Sequence, residues 1–214
     1  RDSVCWARGQ AGSGVSLGAS FGVTNVITLR NVTAAGTGSN GGGIRAGASN
    51  PFSSVTVHAT NTIALGDDSG TIGDVLAQTD DSTGATATIR LDHSNFSSTD
   101  TLFGGTVTDA GGNVGTPPVF AAGVGNFAED STSAGTIDRG TAAAVNGVGL
   151  ASLALSGQPR CLGAAPDIGA EEFAAPACQP PAGPAVTPKN KCKKGRKLKK
   201  GKCVKKKRKK RKRR

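Results

Sequence analysis

Val26-Ile27-Thr28-Leu29-Arg30-Asn31-Val32-Thr33 alternates apolar and polar side chains and then breaks at an Asn. Period-two alternation predicts a strand with one face buried. The pattern returns as Val55-Thr56-Val57-His58-Ala59-Thr60-Asn61-Thr62-Ile63, and again as Ala87-Thr88-Ile89-Arg90-Leu91-Asp92-His93-Ser94-Asn95-Phe96. Recurrence about every 30 residues is the signature of stacked coils, each burying its apolar face against its neighbours. Asn31, Asn61 and Asn95 fall at comparable corners and predict a ladder of side-chain amides, with the third rung offset by one or two residues.

Composition agrees with an all-β body. There are 32 Gly, 12 Asp and 3 Glu, and no Tyr or Met. Gly and Asp disfavour helix interiors, whereas the abundant Thr and Val favour strands. Aromatics are only 4% of the chain, so small apolar residues must fill a narrow interior. Trp6, the single Trp, is expected to cover an exposed end of the stack. Met is missing even at position 1, and the chain reads as a fragment or processed form with any export signal upstream. No apolar run reaches the roughly 18 residues of a membrane span.

Charge divides the chain. Residues 189–214 hold 19 Lys/Arg and no acid, while residues 1–188 hold 7 Arg against 15 acids, a formal charge of −8. An acidic body with a strongly basic tail points to an acidic partner for the tail. The polyanion-binding candidates are Lys193, Lys194, Arg196, Lys197, Lys205, Lys206, Lys207, Arg208, Lys209, Lys210, Arg211, Lys212, Arg213 and Arg214. Few apolar residues interrupt them, so the tail is expected to be disordered. DNA and RNA would bind it non-specifically through counterion release, since it has no aromatic stacking platforms. For an exported protein, anionic wall polymers, acidic glycans or anionic headgroups are the expected partners.

Five Cys occur, at 5, 161, 178, 192 and 203, with no zinc spacing. Cys161 with Cys178, and Cys192 with Cys203, are the disulfide candidates, because a tail without a core needs a staple. Residues 110–135 lose the strand rhythm, and residues 174–188 carry a Pro-rich stretch expected to be a semi-rigid spacer. The organisation is therefore coils over 1–125, a closing segment over 126–173, a linker over 174–188 and the tail over 189–214.

Within the closing segment, Ile137-Asp138, Gly157, Pro159-Arg160, Asp167-Ile168-Gly169-Ala170 and Glu172 resemble the end of secreted bacterial right-handed parallel β-helix proteins of the choice-of-anchor kind. The chain departs from that pattern at Ser156 and Glu171. The resemblance implies a right-handed parallel β-helix, an exported or cell-envelope location and no particular activity. A closing segment makes physical sense as a cap, because an open coil end exposes unpaired strand edges. Asp138, Arg160, Asp167 and Glu172 are expected to form an ion-pair cluster locking it, with Arg160 as a bidentate partner.

Catalytic chemistry is sparsely written. Some parallel β-helices are polysaccharide lyases or hydrolases, so a carbohydrate-active enzyme with its active coils mostly upstream is the alternative reading. Asp67, Asp68, Asp92 and His93 are the candidates for acid–base work, which in glycoside hydrolysis needs two carboxyl groups about 5–9 Å apart. Arg30, Arg45 and Arg90 are the candidate bases for lyase chemistry, with Arg30 and Arg90 pointing outward by alternation. Asp67, Asp68, Asp80 and Asp81 would hold calcium only weakly; no other cofactor is implied. Asn31-Val32-Thr33 and Asn95-Phe96-Ser97 fit the N-glycosylation pattern. The reading favoured by the sequence is a monomeric, non-catalytic envelope protein whose basic tail attaches it to anionic polymers.

Overall fold

A computed structural model describes residues 1–8, 12–38, 40–66, 72–81, 84–121, 126–157, 160 and 163–173, and the backbone of 196–199 and 202–205. The described chain is all β-strand and turn. Coil one contains β1 (Ser3–Arg8), β2 (Val15–Ser20) and β3 (Thr24–Arg30). Coil two contains β4 (Val32–Thr37), β5 (Ile44–Ser49) and β6 (Ser54–Thr60). Coil three contains β7 (Ile63–Leu65), β8 (Val75–Thr79) and β9 (Thr86–Asp92), and β10 (Thr99–Leu102) and β11 (Thr106–Asp109) follow. Each strand pairs in parallel with its counterpart one coil on, giving three sheets ordered β1-β4-β7, β2-β5-β8-β10 and β3-β6-β9-β11. The architecture is solenoid-like. The last parallel bridge among the described residues joins Asn95 to Val114.

Alternation explains the second and third sheets. Ile44, Ala46 and Ala48 of β5 and Val55, Val57 and Ala59 of β6 point inward and are buried. The interior is narrow and filled by Ala, Val and Ile, as the aromatic-poor composition requires. The first sheet behaves differently. Five of the six β4 residues are buried, on both faces, so its sequence Val32-Thr33-Ala34-Ala35-Gly36 shows no period of two.

The closing segment accounts for that double burial. It runs back along the side, over the outer face of the first sheet, as far as coil one. Ala170 N donates to Thr33 Oγ1 (3.1 Å) and Gly169 N to Asn61 O (2.9 Å). Arg160 reaches Asp2 ahead of β1 (2.9 Å). The physical reason is the outward side of that sheet, where Trp6, Ala35 and Ile63 share the face of Thr33 in the strand register. Such a face demands cover, whereas the last coil exposes only short strands. Trp6 follows the same logic: instead of closing an end, it lies edge-on to Phe127 at 6.0 Å, under the Arg8 guanidinium at 4.0 Å.

Two compact units are present, Arg1–Cys178 and Gln179–Arg214. The second holds the antiparallel pair β12 (Arg196–Lys199) and β13 (Lys202–Lys205), so the tail is not without structure along its whole length. Cys203 has Leu198 as its cross-strand partner.

Candidate functional site

The corner after each third-sheet strand requires a left-handed residue. Asn31 (φ 52°), Asn61 (φ 49°) and His93 (φ 44°) occupy it in successive coils. Asn tolerates this conformation better than residues with larger side chains. Asn31 and Asn61 therefore stand at the predicted corners, and Asn95 does not. Coil three is longer: Thr24 and Ser54 are paired 30 residues apart, but Ser54 and Thr86 are 32 apart. His93 thus takes the corner, and Asn95 bridges Ile63 on the first sheet, donating to Thr116 O (2.7 Å).

Nor do the amides bond to one another as a ladder would. The Asn61 amide grips the closing segment: Nδ2 donates to Thr141 O (2.9 Å) and Oδ1 accepts from Thr141 N (2.7 Å). Asn31, fully buried, has neither amide atom engaged by another described group. Beside it Arg30 points outward as expected, yet is fully buried, because residues 141–143 cover it. Its guanidinium donates to Ala143 O (2.6 Å) and Thr141 O (2.9 Å). Burial and the nearby Arg160 lower its affinity for a proton, while Asp2 and Asp92 oppose them. Arg30 is therefore a clamp and not an exposed base; Arg90 is exposed on β9.

The expected ion cluster forms with different membership. Arg160 does not bind one carboxylate bidentately. Its Nη1 donates to Glu172 Oε2 (2.9 Å) and its Nη2 to Asp2 Oδ1 (2.9 Å), with Ala170 O a further acceptor at 3.0 Å. The Arg160 and Glu172 side chains are 1% and 2% exposed. Asp138 and Asp167 serve the backbone instead. Asp167 accepts from Asp138 N (2.7 Å) and Phe173 N (2.6 Å), and Asp138 accepts from Ala164 N (3.1 Å). Sequence reasoning missed Asp2, because nothing local marks a residue before the first strand as the partner of one 158 positions away.

Burial sets the electrostatics here. Glu172 is pushed up to about 7, chiefly by burial and then by Asp167, with Arg160 pulling against them. Burial likewise raises Asp167. Glu129, also missed, rises to about 8 by burial; the Thr136 hydroxyl donates to its Oε2 at 2.6 Å. A carboxyl this deep stays protonated near neutral pH because the charged form loses its hydration.

Asp92 and His93 do come together, with Nδ1–H of His93 donating to Asp92 Oδ1 at 2.6 Å. The imidazole rests over Gly112, where a Cβ would fall 2.7 Å from the ring. The adjacent Ser94 hydroxyl is committed to Ala59 O, Asp92 O and the N–H of Thr62. It is not a nucleophile aimed at the imidazole. Asp80 Oδ2 accepts from Asn50 N (2.8 Å) across the turn. Among the described residues no three His, Cys, Asp or Glu side chains gather as metal ligands. Asp67, Asp68, Cys161, Cys178, Cys192 and the basic positions 193, 194 and 206–214 lie outside the described residues, and only backbone is described at Arg196, Lys197, Cys203 and Lys205. Cys5 is unbridged. No helix among the described residues is long and apolar enough to cross a membrane.

Comparison with family models, with curated proteins and with solved structures finds no match for this chain.

Proposed function

We propose that the protein is an exported, non-catalytic right-handed parallel β-helix of the choice-of-anchor kind, attached by its basic tail to anionic polymers of the cell envelope. The observation that carries this reading is the segregation of charge: 19 cations in residues 189–214 against a formal −8 over residues 1–188. The body repels polyanions and the tail attracts them, so contact is directed to one end of the chain. The chemistry of the body supports a scaffold. Arg30, Asn61 and Arg160 hold the closing segment to the coils, and Asp138, Asp167 and Glu172 hold that segment to itself. Among the described residues, the carbohydrate-active alternative draws support from Asp92–His93 alone.

Co-sedimentation with purified wall material tests the proposal, using residues 1–214 and 1–188 over a salt series. Surface charges are screened beyond about 10 Å at 0.1 M salt and about 3 Å at 1 M. The full chain is expected to pellet at low salt and to be released as salt rises, while 1–188 stays in solution. Equal, salt-resistant binding by 1–188 refutes attachment through the tail.

A further inference from the structure

The edge between the second and third sheets has an unusual surface. Six of the nine exposed large apolar side chains among the described residues lie along it: Phe21, Val23, Val26, Phe52, Leu102 and Phe103. The three Phe are 83%, 71% and 66% exposed. All three adopt left-handed backbone, at φ 54°, 60° and 50°, a conformation that costs a residue bearing a Cβ and that Gly or Asn would take more easily. They stand at the same corner of the stack, just after β2, just before β6 and just after β10. The chain spends three of its seven Phe here while its core is built from Ala and Val.

Beside this row runs an open groove on the outer face of the second sheet. It comprises two contiguous depressions of about 300 and 320 Å³ that share Gly18, Gly47 and Ser49. Gly18 and Gly47 are register partners and point outward between the buried Ala positions. A Cβ would meet nothing closer than 3.7 Å at Gly18 and 3.9 Å at Gly47, so it is the absence of side chains that hollows the floor. Ser16, Ser20, Asn25 and Gln78 supply hydroxyls and amides around it. Its two charged groups have opposite sign and are both engaged: Arg45 donates to Gln78 Oε1 (2.9 Å), and Asp80 accepts from Asn50 N.

We propose that this groove and its Phe row bind a neutral polysaccharide chain laid along the stack. Sugar rings present C–H faces that rest on aromatic rings and hydroxyl edges that pair with Ser, Asn and Gln. Coils repeat at about 4.8 Å, so side chains of one kind recur along the groove at a spacing comparable to a sugar ring. Charge selects the neutral class: the groove offers balanced, already paired charges, and the body around it is formally −8, which disfavours an acidic chain. This ligand differs from the tail's, so the inference does not depend on attachment through the tail.

Affinity electrophoresis of the full chain through hydroxyethyl cellulose, galactomannan and dextran tests it, in 0.5 M salt to silence the tail, with polygalacturonate as the acidic control. At least one neutral gel is expected to retard the chain. Phe21→Asn with Phe52→Asn is expected to weaken that retardation at least tenfold, and so is Gly47→Val, which fills the floor. Both variants suit their backbone, so their melting temperatures should equal or exceed the parent's and loss of binding cannot be ascribed to unfolding. Retardation by no neutral polymer overturns the proposal. So does binding to polygalacturonate alone, or neutral-gel retardation unchanged by these substitutions. Self-association in the ultracentrifuge that Phe21→Asn with Phe52→Asn abolishes would make the edge a contact between copies, and overturns it too.

Discussion

Gly169→Ala is the sharpest probe of how the closing segment docks. Gly169 has φ 116°, and a Cβ there would lie 2.8 Å from Ile63 Cδ1 and 3.1 Å from Thr33 Oγ1. Two costs combine. Holding a Cβ-bearing residue in so sparsely populated a conformation takes about 1–3 kcal/mol. Forcing a methyl against the packed outer face of the first sheet takes about 1–3 kcal/mol more. The expected loss is roughly 2–6 kcal/mol, or about 4–24 °C in melting temperature at roughly 2–4 °C per kcal/mol for a unit of this size. Trp6 is the only Trp and touches Phe127 of the closing segment, so its fluorescence reports docking while circular dichroism reports the strands. Ile63→Val removes the Cδ1 contact, and the double substitution should recover at least about 0.5 kcal/mol of coupling energy. If Gly169→Ala moves the Trp6 transition by less than about 0.5 kcal/mol, the segment does not rest on Ile63 and Thr33 as described.

Asn61→Gly keeps the left-handed corner but removes both bonds to Thr141, and should cost about 1–3 kcal/mol more than Asn31→Gly, whose amide has no such partner; equal losses in urea titrations would argue against the grip. Glu129 carries a folded value near 8 against an ordinary 4.5, so the stability it contributes is fully present below pH 4.5 and is lost as pH rises through 8. Glu172, near 7, adds to the same slope. Glu129→Gln should flatten the fall in urea midpoint between pH 6 and 9, and an unchanged slope would mean that Glu129 is not buried as a neutral acid.

How legible the fold was depended on which faces are covered. The strands around Ile27, Val57 and Ile89 could be read because one side meets the core and the other meets solvent, so alternation survives. Strands β4 and β7 could not, since Thr33 and Ile63 are covered by residues more than 100 positions later. Burial on both faces erases the period on which a local reading depends. The corner Asn were legible for a backbone reason, and Asn95 was misplaced because two extra residues in coil three shift the register. The closing motif showed which residues mattered but not where they went. Arg160 was legible as an ion-pair centre, whereas its partner Asp2 is fixed only by the tertiary path.

That path changes what kind of stability the molecule has. Stacked coils bonded only to their neighbours open from the ends, each rung contributing its own small interface. Here the interior is mostly Ala and Val, so each rung buries little and fraying should be easy. The closing segment ties non-adjacent rungs together. Arg160 holds Asp2 at the start of coil one, residues 141–143 hold Arg30 at its end, Ala170 holds Thr33 in coil two, and Thr141 with Gly169 holds Asn61 at the entry to coil three. Coil one cannot lift away without withdrawing Asp2 from the buried Arg160, and removing one partner of a buried ion pair is strongly destabilising. The body should therefore unfold as one cooperative unit. That rigidity is what a row of exposed Phe rings and a shallow polar groove need in order to hold their spacing along the stack.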